Sequence, residues 1–291
     1  MYKLVAIDLD GTLLNSYGEI SIENKNYLKK ALKQGIEIVL ASGRMPISVR
    51  NFCNEVGDLN YLIAGNGTIV YDIKKDEIIY DNFIEKEKVL NIIKICEENS
   101  IYYNIYTENS SISKTINYNI LYYNYENTKK PENKKLNINL VDDVYKYIDE
   151  VNTQNILKIT ICDDSKIIFG RIINKLREIK GIDVLDVEHM SRKAIKNGTE
   201  ELSLEYYYTE ITNKNSNKWN AVEHLIKKLN ISKEEVVGIG DNINDKELVE
   251  NAGLGIAIGD SYLSSNKIGN IIVKNNNQNG VAEAFEKYIL K

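Results

Sequence analysis

Residues 5–15 read VAIDLDGTLLN, an apolar run that ends in two aspartates and a glycine. Such a run is typical of a buried strand, and Asp8, Asp10 and Gly11 follow it directly. Aspartate and glycine are common in turns, so one interpretation is an ordinary loop after a strand. The other interpretation is a ligand site, because open α/β sheets bind their ligands at the carboxyl ends of the strands.

Two further apolar runs end in the same way. VLASGR, residues 39–44, reaches Ser42 and Gly43, and VVGIGDNIND, residues 236–245, runs into a cluster of Asp and Asn. Chance turn composition would rarely place hydroxyl and carboxylate groups after three strands of one parallel sheet, so the pattern favours a ligand site.

A cluster of carboxylates needs a cation. Two like charges about 4 Å apart cost roughly 4 kcal/mol at an effective dielectric constant of about 20. The predicted cluster offers oxygen ligands without histidine or cysteine, and Mg²⁺ is the hard cation that suits such ligands and shares its coordination with substrate phosphate. The sequence therefore predicts a magnesium site.

Length and composition set outer bounds on the protein class. The chain has 291 residues, 43% hydrophobic and 27% charged, which predicts a globular protein with two domains. A net charge of −5 argues against general nucleic-acid binding, which needs a basic surface. No apolar run approaches the length of a membrane span, and three scattered cysteines suit a reducing compartment. We therefore expect a cytoplasmic protein with no membrane partner; its oligomeric state stays open.

The periodicity changes twice along the chain. Residues 1–81 and 206–291 alternate apolar strands with helical patterns, which is the rhythm of a parallel sheet. Residues 82–205 mix helices and strands in a different order and indicate a separate α+β domain. The predicted fold class is α/β, a Rossmann-like parallel sheet core with an inserted α+β cap domain.

One segment of the predicted cap is biased in composition. Residues 117–135 read NYNILYYNYENTKKPENKK, rich in Asn, Tyr and Lys. We predict a strand followed by a polar loop here. Compositional drift explains the bias as well as a binding role does.

The combined motifs resemble the haloacid dehalogenase superfamily, and within it the Cof-type phosphatases with a large α+β cap. Over essentially the whole chain, the four motifs occur in order as DLDGTLL at residues 8–14, ASGR at residues 41–44, Lys218 in EITNKNSNKWNAV, and GDNIND at residues 240–245. The first and last motifs together are highly specific, whereas the serine and the lysine alone would be weak signals.

The resemblance implies roles for the catalytic residues. Asp8 would be the nucleophile that accepts the phosphoryl group as an aspartyl-phosphate. Asp10 would first protonate the leaving alkoxide and then deprotonate the attacking water. Lys218 would neutralise Asp8 and the phosphate, and Ser42 would donate a hydrogen bond to a phosphoryl oxygen.

The resemblance also implies ligands for the metal and further contacts for the substrate. Asp8, Asp241 and the backbone carbonyl of Asp10 would hold Mg²⁺. Asp245 would not bind the ion directly but would hold the ligands in position. Asn244 would position the phosphate.

Three more residues are candidates for substrate binding. Gly43 lets the backbone approach a ligand closely, and Arg44 either contacts the substrate or serves structure at the start of the next helix. Asn66, in the AGNG stretch, matches a family loop that faces the cap, or else forms a tight turn before a strand.

We therefore expect Mg²⁺-dependent hydrolysis of phosphate monoesters of small metabolites. The alternatives are a phosphomutase or phosphotransferase acting on sugar phosphates, or a sugar-phosphate sensor without catalysis. The presence of both Asp8 and Asp10 argues against the sensor, because binding alone does not need an acid. The sequence does not identify the phosphorylated metabolite.

Overall fold

The computed structural model of the chain describes residues 1–150, 155–185, 191–197 and 200–290, with residues 191–197 and 200–203 described by their backbone alone. The chain divides into two compact units. The first, the core unit, joins Met1–Asp81 to Ser216–Lys291, and the second, the inserted unit, is Asn82–Asn215.

Helices and strands are numbered in chain order. The elements are β1 Leu4–Ile7, α1 Ile22–Lys33, β2 Glu37–Ala41, α2 Pro46–Val56, β3 Tyr61–Ala64, β4 Ile69–Asp72, β5 Glu77–Asp81, α3 Lys86–Glu98, β6 Tyr102–Thr107, β7 Ser110–Ser113, α4 Tyr118–Thr128, β8 Asn137–Leu140, α5 Val144–Glu150, β9 Ile156–Asp163, α6 Lys166–Arg177, β10 Ile182–Val184, β11 Ser191–Asn197, β12 Glu200–Asn213, α7 Lys218–Leu229, β13 Val236–Gly240, α8 Lys246–Asn251, β14 Leu254–Ile258, α9 Tyr262–Ser265, β15 Ile271–Val273 and α10 Gly280–Ala284.

The core unit is built on an eight-stranded sheet with the order β15-β14-β13-β1-β2-β3-β4-β5. The strands from β15 to β3 are parallel, and β4 and β5 add an antiparallel extension at one side. The hairpin of β4 and β5 agrees with the change of rhythm before residue 82. This arrangement confirms the predicted α/β fold class with a parallel sheet core.

β1 lies near the middle of this sheet, and its residues suit that position. Leu4 and Ala6 pack into a cluster that includes residues of α7. Val5 and Ile7 point to the opposite face and are also fully buried. A strand covered on both faces reads as a continuous apolar run, which is why VAI precedes the first aspartate.

The inserted unit has its own sheet and its own hydrophobic core. Its strands follow the order β10-β12-β9-β6-β7-β8, and β11 pairs with β12. All neighbours are antiparallel except β7 and β8. Apolar residues of α3, α5 and α6 pack on one face of this sheet in a single cluster, so the unit has the α+β organisation that the sequence predicts.

Two details of the inserted unit differ from the sequence prediction. Residues 117–135 contain the helix α4 where we predicted a strand, because Asn117 caps the helix by accepting a hydrogen bond from the Tyr118 N–H. The second division between the units falls at residue 216, later than the predicted residue 206, because β12 continues as a strand of the inserted sheet as far as Asn213.

One further strand prediction lies only partly within the described residues. The stretch DVLDVEH, residues 183–189, also predicts a strand from its sequence. Its first two residues belong to β10, and residues 186–190, with His189, lie outside the described residues. Within the described ranges, no helix is both long and apolar enough for a membrane span.

Candidate active site

The register of the core sheet brings three strand ends to one edge. Ile7 of β1 is level with Ile239 of β13 on one side and with Leu40 of β2 on the other. The residues that follow these strands, among them Asp8, Asp241 and Ser42, therefore lie at the same carboxyl edge of the sheet.

A buried lysine lies at the centre of this edge. Lys218 is the first residue of α7, which begins there because the side chain of Asn217 accepts a hydrogen bond from the Asn220 N–H at 2.8 Å. Its Nζ donates to an oxygen of Asp8 and, at 2.6 Å, to Oδ1 of Asp245. Lys218 is 0% exposed, so its charge is balanced by these two carboxylates rather than by water.

Both carboxylate oxygens of Asp245 accept hydrogen bonds from protein donors. Its Oδ1 accepts from Lys218, and its Oδ2 accepts from the backbone N–H groups of Asp241 and Asn242, both at 3.1 Å. Asp241, in contrast, is oriented by the hydroxyl of Thr12, which donates to its Oδ1 at 2.7 Å. Asp245 thus holds the loop and the lysine in place, while Asp241 can still offer a carboxylate oxygen to a ligand.

Burial and crowding change the pKa values of these groups. Burial raises the pKa of Asp8 well above its usual range, and Asp245 raises it further, while Lys218 opposes the shift. Burial, together with Asp245, raises the pKa of Asp241 to about 7. Burial lowers the pKa of Lys218, but the Asp245 and Asp8 carboxylates outweigh it and hold that pKa above its usual value. The carboxylates therefore favour a partner of positive charge.

The donor set fits a hard divalent cation. One oxygen from each of Asp8, Asp241 and Asp245 lies within 4.8 Å of the others. These are carboxylate oxygens, the ligands that Mg²⁺ prefers. Because both oxygens of Asp245 already accept hydrogen bonds, Asp8 and Asp241 are the side chains that would coordinate the ion directly.

A second group of predicted residues lies beside these carboxylates on the core unit. The Nδ2 of Asn244 donates to Oδ1 of Asn66 at 3.0 Å, and the Asn66 N–H donates to the carbonyl of Ser42 at 3.0 Å. A Cβ on Gly43 would lie 2.6 Å from Oδ1 of Asn66, so glycine is needed for this close approach. The structure brings these four residues into one network.

Arg44 contacts another predicted catalytic residue. Its Nε and Nη2 donate to the two carboxylate oxygens of Asp10, at 2.7 and 2.5 Å. The sequence predicted a substrate contact or a structural role for Arg44 and did not indicate this pairing. Thr12 was also given no role, although its position in the DGT sequence beside Asp10 was a usable signal.

Gly67 follows Asn66 and offers a test of how the loop positions Lys218. Gly67 has φ +92°, and a Cβ there would lie 2.1 Å from the Asn217 carbonyl and 2.9 Å from the Lys218 nitrogen. An alanine at a positive φ is strained wherever it lies. We expect Gly67→Ala to lower the free energy of unfolding by about 1–3 kcal/mol more than this strain alone would, and to reduce turnover, because α7 must move to make room for the Cβ.

Gly18→Ala is the matched control for this change. Gly18 has φ +76°, but an added Cβ meets no atom within 4 Å, so it carries the strain alone. Urea unfolding and turnover of both variants measure the difference. Equal losses in the two variants would contradict a specific role of the contact between Gly67 and α7.

The inserted unit contains a polar pocket of about 110 Å³. It is lined by Tyr106, Asn119, Tyr123, Thr160, Tyr206, Tyr208 and Glu210. Lys158 pairs with Glu210, and its Nζ lies 5.0 Å from the centre of the Tyr106 ring. The pocket therefore combines aromatic faces with hydroxyl, amide and charged groups. Asn119 and Tyr123 come from α4, in the segment whose composition bias the sequence left unexplained.

Comparisons with known proteins show which family and which relatives the chain is similar to. Residues 5–285 match the family described as haloacid dehalogenase-like hydrolase. Phosphatase YwpJ of Bacillus subtilis is 27% identical, and the match covers 98% of this chain and 99% of the relative. A second Bacillus subtilis relative, 5-amino-6-(5-phospho-D-ribitylamino)uracil phosphatase YcsE, is 22% identical over 99% of this chain and 96% of its own length.

A solved structure gives the same result for the fold. The crystal structure of a haloacid dehalogenase-like hydrolase from Bacteroides thetaiotaomicron has a TM-score of 0.79 and 26% identity to this chain. The similarity covers 99% of both chains. Both the core unit and the inserted unit thus have counterparts in that structure.

Proposed function

Because the chain belongs to the family of haloacid dehalogenase-like hydrolases and is a phosphatase of that family, we propose that it hydrolyses phosphate monoesters of small metabolites through an aspartyl-phosphate on Asp8. The contact of Lys218 with both Asp8 and Asp245, at the carboxyl edge of the parallel sheet, is the observation that carries the proposal. Lys218 opposes the rise in the pKa of Asp8 that burial causes, and so favours the ionised carboxylate that a nucleophile needs.

In the first half of the reaction, an oxygen of Asp8 attacks phosphorus and the bond from phosphorus to the leaving oxygen breaks. Asp10 gives its proton to that oxygen, so the metabolite leaves as an alcohol. Ser42 and Asn244 orient the phosphoryl oxygens, and Lys218 balances the negative charge on Asp8 and phosphate.

In the second half, Asp10 takes a proton from water as the water oxygen attacks phosphorus. The bond between phosphorus and Asp8 breaks, and inorganic phosphate is released. Asp10 is again protonated and Asp8 is again a carboxylate, so one water is consumed for each ester cleaved. The two half-reactions split one difficult displacement into two easier ones.

Asp8, Asp241 and the backbone carbonyl of Asp10 would hold Mg²⁺, with Asp245 and Thr12 orienting the loop and the Asp241 carboxylate. When bound, Mg²⁺ supplies positive charge that lowers the repulsion between the Asp8 carboxylate and the phosphate dianion. The raised pKa values of Asp8 and Asp241 support this assignment, because such carboxylates gain from a cation.

We further propose that the inserted unit decides which leaving group is accepted. The polar pocket of that unit is lined by four tyrosines together with Asn119, Thr160 and Glu210. These groups suit a hydroxyl-rich leaving group such as a sugar or polyol. The relative named 5-amino-6-(5-phospho-D-ribitylamino)uracil phosphatase has a substrate of this general kind, a phosphorylated ribityl compound.

The buried thiols Cys53, Cys96 and Cys162 support a reducing, cytoplasmic location.

Phosphate release from a panel of phosphorylated metabolites tests the proposal. We expect one inorganic phosphate for each ester consumed, with water as the acceptor. Release of less phosphate than ester consumed, with a new sugar phosphate among the products, would instead identify a phosphotransferase or mutase. Binding of sugar phosphates without turnover in the presence of Mg²⁺ would identify a sensor.

A further inference from the structure

The pairing of Arg44 with Asp10 is the observation that carries a further inference. The guanidinium donates to both oxygens of one carboxylate, through Nε at 2.7 Å and Nη2 at 2.5 Å. Two parallel charge-assisted hydrogen bonds fix the direction of a carboxylate as well as its position. The Asp10 side chain is 58% exposed, so packing restrains it weakly.

Arg44 is itself held by the helix that follows it. Its Nη1 donates to the hydroxyl of Ser48 at 3.3 Å, and its guanidinium carbon lies 5.2 Å from the centre of the Phe52 ring. Ser48 and Phe52 are one turn apart on α2, so they present a single surface to the guanidinium. The Arg44 N–H donates to the hydroxyl of Ser42 at 3.2 Å, which fixes the backbone.

We infer that Arg44 is the positioning residue for Asp10: its two hydrogen bonds fix the place and direction of the Asp10 carboxyl group, and it acts on the phosphoryl group and the leaving oxygen only through Asp10. The inference rests on the proposed function, in which Asp10 gives a proton to the leaving oxygen and takes one from water. It adds a third role for Arg44 to the two that the sequence predicted, a substrate contact and a structural role at the start of the next helix.

This role predicts a specific dependence on the leaving group. Misaiming the acid slows a reaction in proportion to how much the leaving oxygen needs a proton. 4-Nitrophenolate leaves readily without a proton, whereas the more basic phenolate needs one. Phenyl phosphate and 4-nitrophenyl phosphate share a ring and a phosphate, so contacts with the phosphate affect both esters alike.

The experiment compares wild type, Arg44→Ala, Asp10→Asn and the double variant with both esters. We expect Arg44→Ala to lower kcat about tenfold more for phenyl phosphate than for 4-nitrophenyl phosphate, mainly in kcat rather than in KM. In the Asp10→Asn background, Arg44→Ala should have little further effect, because the two residues act as one unit.

Arg44→Lys separates orientation from charge. Lysine keeps the positive charge but lacks the planar fork that holds two oxygens. We expect this variant to retain the leaving-group dependence of Arg44→Ala. Full recovery with lysine would overturn the inference, since charge alone would then be sufficient.

Arg50→Ala is the matched control. Arg50 lies on α2, the helix that contacts the Arg44 guanidinium. It pairs with Asp76 at 2.6 Å and lies 4.8 Å from the centre of the Tyr71 ring. It therefore has the same kinds of contact as Arg44 but a different carboxylate. We expect its loss to leave the ratio of the two rates unchanged and thermal unfolding to be similar in both arginine variants.

Two results would contradict the inference, and they can be told apart. An equal loss for both esters in Arg44→Ala, with a normal leaving-group effect in Asp10→Asn, would show that Arg44 acts on the phosphate and would leave the proposed function intact. An Asp10→Asn variant with no leaving-group effect would overturn the acid role of Asp10 itself, and the inference with it.

Discussion

Replacing Asp8 by asparagine is expected to reduce turnover by on the order of 10³-fold or more, because the amide cannot form the covalent phosphoryl ester. The fold should persist. Burial and Asp245 raise the pKa of Asp8, so the ionised carboxylate is costly to the folded protein, and Lys218 keeps Asp245 as its second partner. Thermal unfolding should therefore occur at the wild-type temperature or above it.

Three measurements check this expectation. Steady-state turnover gives the loss, and mass spectrometry of the variant excludes deamidation back to aspartate. Rapid acid quenching of the wild type should leave a phosphoryl group on the peptide that contains Asp8, and the variant should show none.

Asp72→Asn is the matched control for a buried carboxylate. Asp72 is 4% exposed and pairs with Tyr61 at the start of β3, at the opposite edge of the sheet from Asp8. We expect this variant to keep its activity. An Asp8→Asn enzyme with more than a few per cent of wild-type turnover would rule out the covalent route.

Removal of divalent cations is expected to abolish turnover, and added Mg²⁺ to restore it. Ca²⁺ should inhibit, because it takes more ligands at longer distances and would misplace Asp8. Full activity in excess chelator would refute the metal requirement.

The affinity for Mg²⁺ should also depend on pH, with a defined sign. Burial and Asp245 raise the pKa of Asp241 to about 7, so at lower pH a proton occupies the oxygen that the ion needs. We expect the affinity to fall as the pH falls through about 7, and to fall more steeply where Asp8 also takes up a proton. Calorimetric titration at several pH values measures this without using turnover.

A pair of variants connects the ion to its ligands. Asp241→Asn should remove the rise in unfolding temperature that Mg²⁺ causes, since a ligand stabilises the state that binds it. Asp260→Asn should keep that rise. Asp260 follows β14, the strand next to β13, and its carboxylate accepts a hydrogen bond from Asn275 at 2.9 Å, apart from the carboxylate cluster.

The sequence was sufficient to predict the features that depend on strand ends. The alternation of apolar runs predicted the parallel sheet, and the sheet then determines that Asp8, Asp241 and Ser42 lie at one edge. Contacts that depend on side-chain direction could not be predicted in this way. The sequence spacing of Asp10 and Arg44 does not indicate their bidentate hydrogen bonding, because that contact depends on how α2 orients the guanidinium.

The inserted unit shows the other limit of the sequence. Its tyrosine-rich segment forms α4, since a capping asparagine and tertiary contacts outweigh the β preference of tyrosine. The end of the unit was also misplaced, because β12 crosses the predicted boundary without a change in composition. Where an apolar pattern is weak, packing decides the outcome.

The position of β1 between β13 and β2 has a consequence for the order of folding. The hydrogen bond from Thr12 to Asp241 joins residues 229 positions apart, whereas the sheet of the inserted unit is made from one continuous segment. Closing so long a loop costs more chain entropy than closing the shorter loops within Asn82–Asn215. On a ribosome, Asp8 emerges early and must wait for Asp241 to be synthesised. The carboxylate cluster is therefore completed late, so a nascent chain carries no competent phosphatase site until synthesis has passed Asp241.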